Sequence, residues 1–466
     1  MANVVVCYYS ENGESFYDAF CGKLKDIGNN VFQFNTKNYI KSTTWGDEFS
    51  LLPVGFKVIS RIKKFKPDLI FSFNNAFPTE VIDDFSCPIC LWDADDPQFF
   101  WNKEYLKQNL NRFTFLGFKE CSRDFYERTF KGKIKNYYYC PAGTFCKKEN
   151  MKIKHNISFI GGHFLHMDYI RTQINIQQCV PLAKFYYQIL KKNWFADFQN
   201  VEKLTKDDNL LTYSEVLRKR VFYFVRWHII PGQERNKTLS VLSDLGLTIY
   251  GTKEWISTVL YDMDLCCCFD PTPVISLKDN EDVYNTSKLS VNLSHPQAQE
   301  CFSWRVMDIM ASNACLLTEK KQDFLNLFGP YLSDEVKEAI IYKDIYDLRQ
   351  KAIRLLNDEK LRQKCVHECQ QAIEQNGRWE KRFNDLENYL KISLFEKQNG
   401  KLTVIRNIEN VYYQPKLFRK IKHKRIHFWQ YMFYCLISEL PLIDKLFGSQ
   451  KRNRFYEKLE KYRRKK

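Results

Sequence analysis

No stretch of this chain reaches the ~18 uninterrupted apolar residues that a membrane-spanning helix needs. The nearest, Phe428–Ile437, is interrupted by Gln430 and closed by Ser438-Glu439. Met1–Tyr9 lacks the basic start of an export signal, is too short for its apolar core, and reads as a first β-strand. A cytoplasmic protein, free or peripheral on a membrane, is the expectation. The chain also lacks a G-x-G-x-x-G turn and a Walker lysine, so neither dinucleotide nor P-loop binding is supported. Cys87-Pro88-Ile89-Cys90 has no second pair of similar spacing, and Cys365, Cys369 and His367 lie in a polar helical stretch. No metal site is expected from them. Most of the 16 cysteines sit in apolar runs, Cys266–Cys268 among them, and read as buried thiols in strands. No short-period repeat is present.

What is present is a large potential core. Of 466 residues 44% are hydrophobic and 16% aromatic, which excludes a mainly disordered chain. The net charge of +16 invites a nucleic-acid or membrane reading, but it is unevenly placed. Residues 401–466 hold 18 Lys and Arg against 5 Asp and Glu, so +13 lies there and +3 in the first 400 residues.

Along residues 1–140, short apolar runs (Val4–Tyr8, Val31–Phe34, Leu69–Phe73, Ile89–Trp92, Phe113–Gly117, Tyr137–Cys140) alternate with helical spacing such as Ser15–Ile27. That alternation predicts βαβ units and a mostly parallel sheet. A second series follows the polar segment Pro141–His155: Ile157–Ile160, Leu247–Tyr250, Leu265–Phe269, Leu289–Leu293, Ala314–Leu317 and Ala339–Tyr342, with 167–245 largely helical. The expected division is 1–150, 151–400 and a basic aromatic tail, 401–466.

Three segments offer chemistry. Phe159-Ile160-Gly161-Gly162-His163 ends a strand in two glycines, which lets a phosphate approach the backbone. Further on, Glu300 and Asp308 flank the start of a helix predicted over Cys301–Ser312, with Ser303 and Arg305 in its first turn. At ~100° per residue the two acids are ~80° apart and can border one cleft, and free amides at the helix start would favour an anion. Finally, Trp92-Asp93-Ala94-Asp95-Asp96-Pro97 follows a strand, where an Asp can take a proton from a hydroxyl or orient a sugar. Asp93-Ala94-Asp95 also has the D-x-D form that holds a divalent ion on a diphosphate, a reading that leaves the second α/β series unexplained.

Taken together, Ser158–Gly162, Leu247–Gly251, Val283–Leu293 and Arg305–Thr318 resemble the second half of a GT-B glycosyltransferase, in particular its CgeB-like (spore-maturation-protein-like) branch, and Trp92, Asp95 and Pro97 match that branch's W-x-x-D-x-P. Asn313 and Asp308 replace the family's usual Gly and Glu. The resemblance implies two Rossmann-like domains facing across a cleft. It implies a nucleotide-sugar donor held by Gly161, Gly162, His163, Tyr250, Gly251, Lys288, His295, Ser303, Arg305 and the ribose-binding Asp308. Asp95, Asp96 and Glu300 would serve catalysis, without a metal or other cofactor. A glycan or glycolipid acceptor of cell-surface synthesis (lipopolysaccharide or capsule) is the implied partner. A nucleotide-sugar 2-epimerase of the same architecture, or a non-catalytic membrane or nucleic-acid adaptor, remains the alternative. Residues 416–466 interleave cations with Phe428, Trp429, Tyr431 and Phe433, the chemistry of an anionic membrane surface rather than of nucleic acid; packing of this segment on the first domain is the other option.

Overall fold

The computed structural model describes the chain apart from residues 11–13, 37–39, 42–49, 52–55, 78, 94–99, 101–102, 121, 166–175, 205–207, 299 and 406–466. The fold is α/β, with two parallel sheets each flanked by helices. Two compact units divide it: Met1–Cys140 with the chain from Phe383 onward, and Pro141–Arg382. The breaks fall at 140 and 382 rather than at the expected 150 and 400.

In the first unit, β1 (Asn3–Tyr8), β2 (Asn30–Asn35), β5 (Leu69–Phe73), β6 (Ile89–Trp92), β7 (Phe113–Gly117), β8 (Tyr137–Tyr139) and β15 (Leu402–Ile405) form one sheet in the order β15-β2-β1-β5-β6-β7-β8. Two short strands, β3 (Ile40–Lys41) and β4 (Ser50–Leu51), pair antiparallel apart from it. The strands are near-continuous apolar runs because both faces of a parallel sheet are covered. Helix α1 (Ser15–Asp26) turns Phe20, Cys21 and Leu24 inward. The late boundary has a physical cause in β15, whose register Leu402↔Val31 to Ile405↔Phe34 extends this sheet after the chain has left the second unit.

In the second unit, β9 (His155–Ile160), β10 (Leu247–Tyr250), β11 (Phe269–Asp270), β12 (Ser287–Val291), β13 (Cys315–Glu319) and β14 (Ile341–Tyr342) lie in the order β11-β10-β9-β12-β13-β14. The chain winds one way from β9 and the other way from β12. The carboxyl ends of these two neighbours are therefore the topological switch point, where open α/β sheets bind ligands. The β9–β10 crossover contains α2 (Ile176–Lys192), α3 (Glu215–Phe224), a π-helical turn (Val225–Ile229) and α4 (Ile230–Ser240).

Two local expectations are corrected. Cys266 and Cys267 lie in a helix, Met263–Cys267, and not a strand, because Asp262 caps it by accepting from Leu265 N at 2.9 Å. The helix predicted from Cys301 starts at Arg305 (α5, Arg305–Ala311). The preceding residues depart from helix and bury Phe302 against Phe324 and Phe328, at ring distances of 6.0 and 5.8 Å.

Candidate functional site

The glycine turn after β9 is built by close approach of the backbone. Gly161 N donates to Tyr250 O at 2.8 Å, and Trp255 Nε1 donates to Gly161 O at 2.8 Å. A Cβ on Gly251 would stand 2.2 Å from Gly161 O, so the meeting of the β9 and β10 ends requires glycine there. Gly162 has room, its nearest neighbour lying 3.8 Å from a built Cβ. His163 follows, fully buried, its Nε2 2.9 Å from Asn236 Oδ1 and 3.0 Å from Tyr261 OH. Burial pushes its pKa down, so the ring is neutral at pH 7 and fastens the turn to its neighbours.

Two arginines converge on this turn. Arg235, from α4, is 6% exposed and donates through Nη1 to Gly162 O. Its Cζ lies 5.5 Å from the Phe159 ring centre, and the Cζ of Arg305, from α5, lies 5.6 Å from the same ring. Arg235 also stacks on Phe164 at 4.0 Å. Among the described residues, neither arginine forms an ion pair with a carboxylate; Arg305 Nη1 reaches Asn292 Oδ1 at 3.4 Å, and its guanidinium also meets the Tyr284 hydroxyl. Burial, then the charge of Arg305, lowers the pKa of Arg235. Buried cations are ordinarily paired, so this cluster is electrostatically set up for an anion.

Asn292, at the end of β12, organises the next layer. Its Oδ1 accepts from Ser303 Oγ at 2.5 Å, and its Nδ2 donates to Thr318 Oγ1 at 3.2 Å. Part of the expected row of free amides at the helix start is already used. Val306 N and Met307 N already donate to Ser303 O and Trp304 O at 3.0 Å, and Asp308 N to Trp304 O at 3.4 Å. A tight first turn has satisfied these three, so the side chains of Ser303, Arg305 and Arg235 carry more of any contact with an anion here. Asp308 is half-buried, and its Oδ1 accepts from Thr144 Oγ1 at 2.5 Å. Burial pushes its carboxyl up to about 6, against the opposing pull of Thr144 and Arg305.

Other expected residues fall elsewhere. Lys288 is the second residue of β12, near the amino end of a strand whose carboxyl end carries the site, so it is separated from the glycine turn by the strand itself. Tyr250 directs its hydroxyl to His155 Nε2 at 3.2 Å. His295 stacks on Trp227 at 5.3 Å and meets Phe164 edge-on at 5.2 Å, within an aromatic group that includes Trp194. Glu300 is exposed, its carbonyl accepting from Asp323 N at 3.0 Å. Asp95 and Asp96 lie outside the described residues. Their neighbours serve the fold: Trp92 Nε1 donates to Cys140 O at 2.8 Å, and buried Asp93 accepts from Phe118 N.

Arg235, Asn292 and Thr144 were not legible as site residues. For Arg235 one signal existed. Gly232 interrupts its helix, and a Cβ there would sit 2.6 Å from Leu165, which marks a helix pressed against the loop after β9.

Residues 236–388 match the model of a family described as glycosyl transferase-like. That segment starts one residue after Arg235 and includes Tyr250, Gly251, Asn292, Arg305 and Asp308. No curated protein matches in sequence. Among solved structures, the chain is similar to T4 phage β-glucosyltransferase at 12% identity and TM-score 0.47, over 84% of this chain and 100% of that one. It is similar to sucrose-phosphate synthase from Thermosynechococcus elongatus at 14% identity and TM-score 0.43, over 83% and 98%. S. aureus TarM follows at 11% identity and TM-score 0.40, over 71% and 58%. At TM-scores below 0.5 these likenesses identify no activity.

Proposed function

We propose that this protein is a glycosyltransferase of the GT-B type that moves a sugar from a nucleotide-diphosphate sugar to a hydroxyl acceptor. The observation that carries the reading is the pair Arg235 and Arg305, two guanidinium groups sharing the Phe159 ring at a topological switch point, neither in an ion pair with a carboxylate among the described residues. A diphosphate supplies the missing negative charge. The matched family segment supports the same class.

In the reaction, an acceptor oxygen bonds to the anomeric carbon as the bond from that carbon to the phosphate oxygen breaks. The acceptor proton passes to a carboxylate, for which Asp95 and Asp96 are the candidates. The nucleoside diphosphate leaves with an added negative charge. Arg235 and Arg305 stabilise that charge as it develops. They do so without requiring a metal, and a chelator is expected to leave transfer intact. Asp308 accepts from the donor's ribose hydroxyls when ionised. Since its carboxyl sits at about 6, donor affinity is expected to fall as pH drops through that value.

The acceptor belongs to cell-surface glycan synthesis, and residues 416–466 hold the enzyme at the anionic cytoplasmic face of a membrane; the composition of that tail supports this. The matching motifs support the CgeB-like branch. Thermal-shift screening of the full chain against nucleotide sugars tests the reading, because a ligand that binds only the folded state raises apparent stability. One donor should stabilise the wild type and be consumed with release of nucleoside diphosphate. An Asp308→Ala protein that binds and transfers normally would exclude the assigned site, and product formation from the donor alone would point to epimerisation.

A further inference from the structure

Two uncommon backbone features meet beside the arginine pair, and the transfer reading uses neither. Phe164 has φ +71°, a region disfavoured for any residue with a Cβ and most for a bulky one. The crossover helix is interrupted by the π-helical turn Val225–Ile229, a form that is rare and recurs at functional sites. They are joined by one hydrogen bond, His228 Nδ1 to Phe164 O at 2.7 Å. A carbonyl can only accept, so Nδ1 carries the proton.

A strained residue persists when its surroundings over-determine it. The carbonyl of Phe164 is held by His228, while its ring lies under the guanidinium of Arg235 at 4.0 Å and edge-on to His295 at 5.2 Å. His228 and Arg235 belong to one helical run, from Glu215 through Ser240, so a single element grips the loop at two points. Relaxing φ would swing the Cα–Cβ bond and carry the ring from beneath Arg235. The guanidinium would then keep only its bond to Gly162 O and its contact with Phe159 against the pull of Glu319, whose charge acts on it.

We propose that Phe164 is a positioning residue of the anion site: its left-handed backbone, fastened by His228, places an aromatic face under Arg235 and aims that cation at the ligand's diphosphate. The proposal rests on the reading of Arg235 as a diphosphate anchor.

Calorimetric titration of the full chain with inorganic pyrophosphate separates the two. Phe164→Leu, which removes the π face and keeps the bulk, should weaken binding about three- to thirtyfold, and Phe164→Tyr should restore it to within twofold. His228→Ala should weaken binding similarly, while His228→Asn, whose amide nitrogen takes the place of Nδ1 and can still donate to the carbonyl, should retain most of it. Thermal melts of each variant give a second readout, since a ring that only fills space would tolerate Leu without loss of affinity. If wild type binds and Arg235→Met does not, but Phe164→Leu or His228→Ala binds as well as wild type, the positioning role is overturned and the anchor stands. If wild type and Arg235→Met bind equally or not at all, the anchor reading fails and this proposal with it.

Discussion

Replacing Arg235 with Met should drive ligand affinity and fold stability apart. Methionine keeps much of the aliphatic volume and removes the charge. Arg235 is 6% exposed, makes no ion pair among the described residues, and lies in the opposing fields of Arg305 and Glu319. Removing a buried cation that has no ion-pair partner relieves a desolvation penalty of several kcal/mol per ion in real proteins, less the attraction of Glu319. Against that, Gly162 O loses its donor, a loss of ~1–3 kcal/mol, and Phe159 and Phe164 lose a cation–π partner at ~0.5–2 kcal/mol each. The opposing sums are similar, so the melting temperature of the free protein should change by no more than a few degrees. Binding has no such compensation. A unit charge ~4 Å from a phosphate oxygen contributes ~4 kcal/mol at an effective dielectric constant of about 20. Truncating one partner of a buried charge pair costs ~2–5 kcal/mol, roughly thirtyfold or more in Kd. Calorimetric titration with a nucleoside diphosphate, alongside thermal melts, reads both quantities. A variant that binds as tightly as wild type would remove Arg235 from the anion site, as would one whose affinity falls only because the fold has melted.

Other consequences follow from the same geometry. The raised carboxyl of Asp308 means that the folded protein binds a proton more readily than the unfolded chain, so stability is lost as pH rises from about 4 through about 6. Asp308→Asn should therefore melt above wild type at pH 7–8, with the gap closing below pH 4; a gap that widens in acid would contradict the assignment. Gly251→Ala should lower stability by ~1–3 kcal/mol, because its Cβ would meet Gly161 O at 2.2 Å, whereas Gly162→Ala should leave the melt nearly unchanged. Truncation after residue 405 spares β15 and its pairing with β2, so it should abolish sedimentation with anionic vesicles without lowering the melting temperature; unchanged sedimentation would remove the membrane role from the tail.

The parallel sheets were readable because strands buried on both faces are short apolar runs. Val4–Tyr8 and Ile157–Ile160 fall within β1 and β9 and end where those strands end. Where the pattern misled, a local rule outweighed it: Asp262 capped an apolar run into a helix, and the burial of Phe302 delayed another. The site divided along the same line. Gly161, Gly251, Arg305 and Asp308 stand at strand ends and a helix start, positions that sequence order reveals. Arg235 reaches Gly162 across 73 residues, and Thr144 reaches Asp308 across 164. Those meetings depend on how the crossover helix and the segment after Cys140 pack, which no spacing rule encodes. Lys288 shows the converse: its charge suggested a phosphate ligand, and its place near the amino end of β12 sets it apart from the turn.

The most direct test of the account is a structure of the full chain soaked with the nucleoside diphosphate that stabilises it best. Diphosphate density is expected at the carboxyl ends of β9 and β12, with phosphate oxygens within hydrogen-bond reach of both Arg235 and Arg305 and the ribose beside Asp308. Density elsewhere, with both arginines unmoved and unliganded, would contradict it.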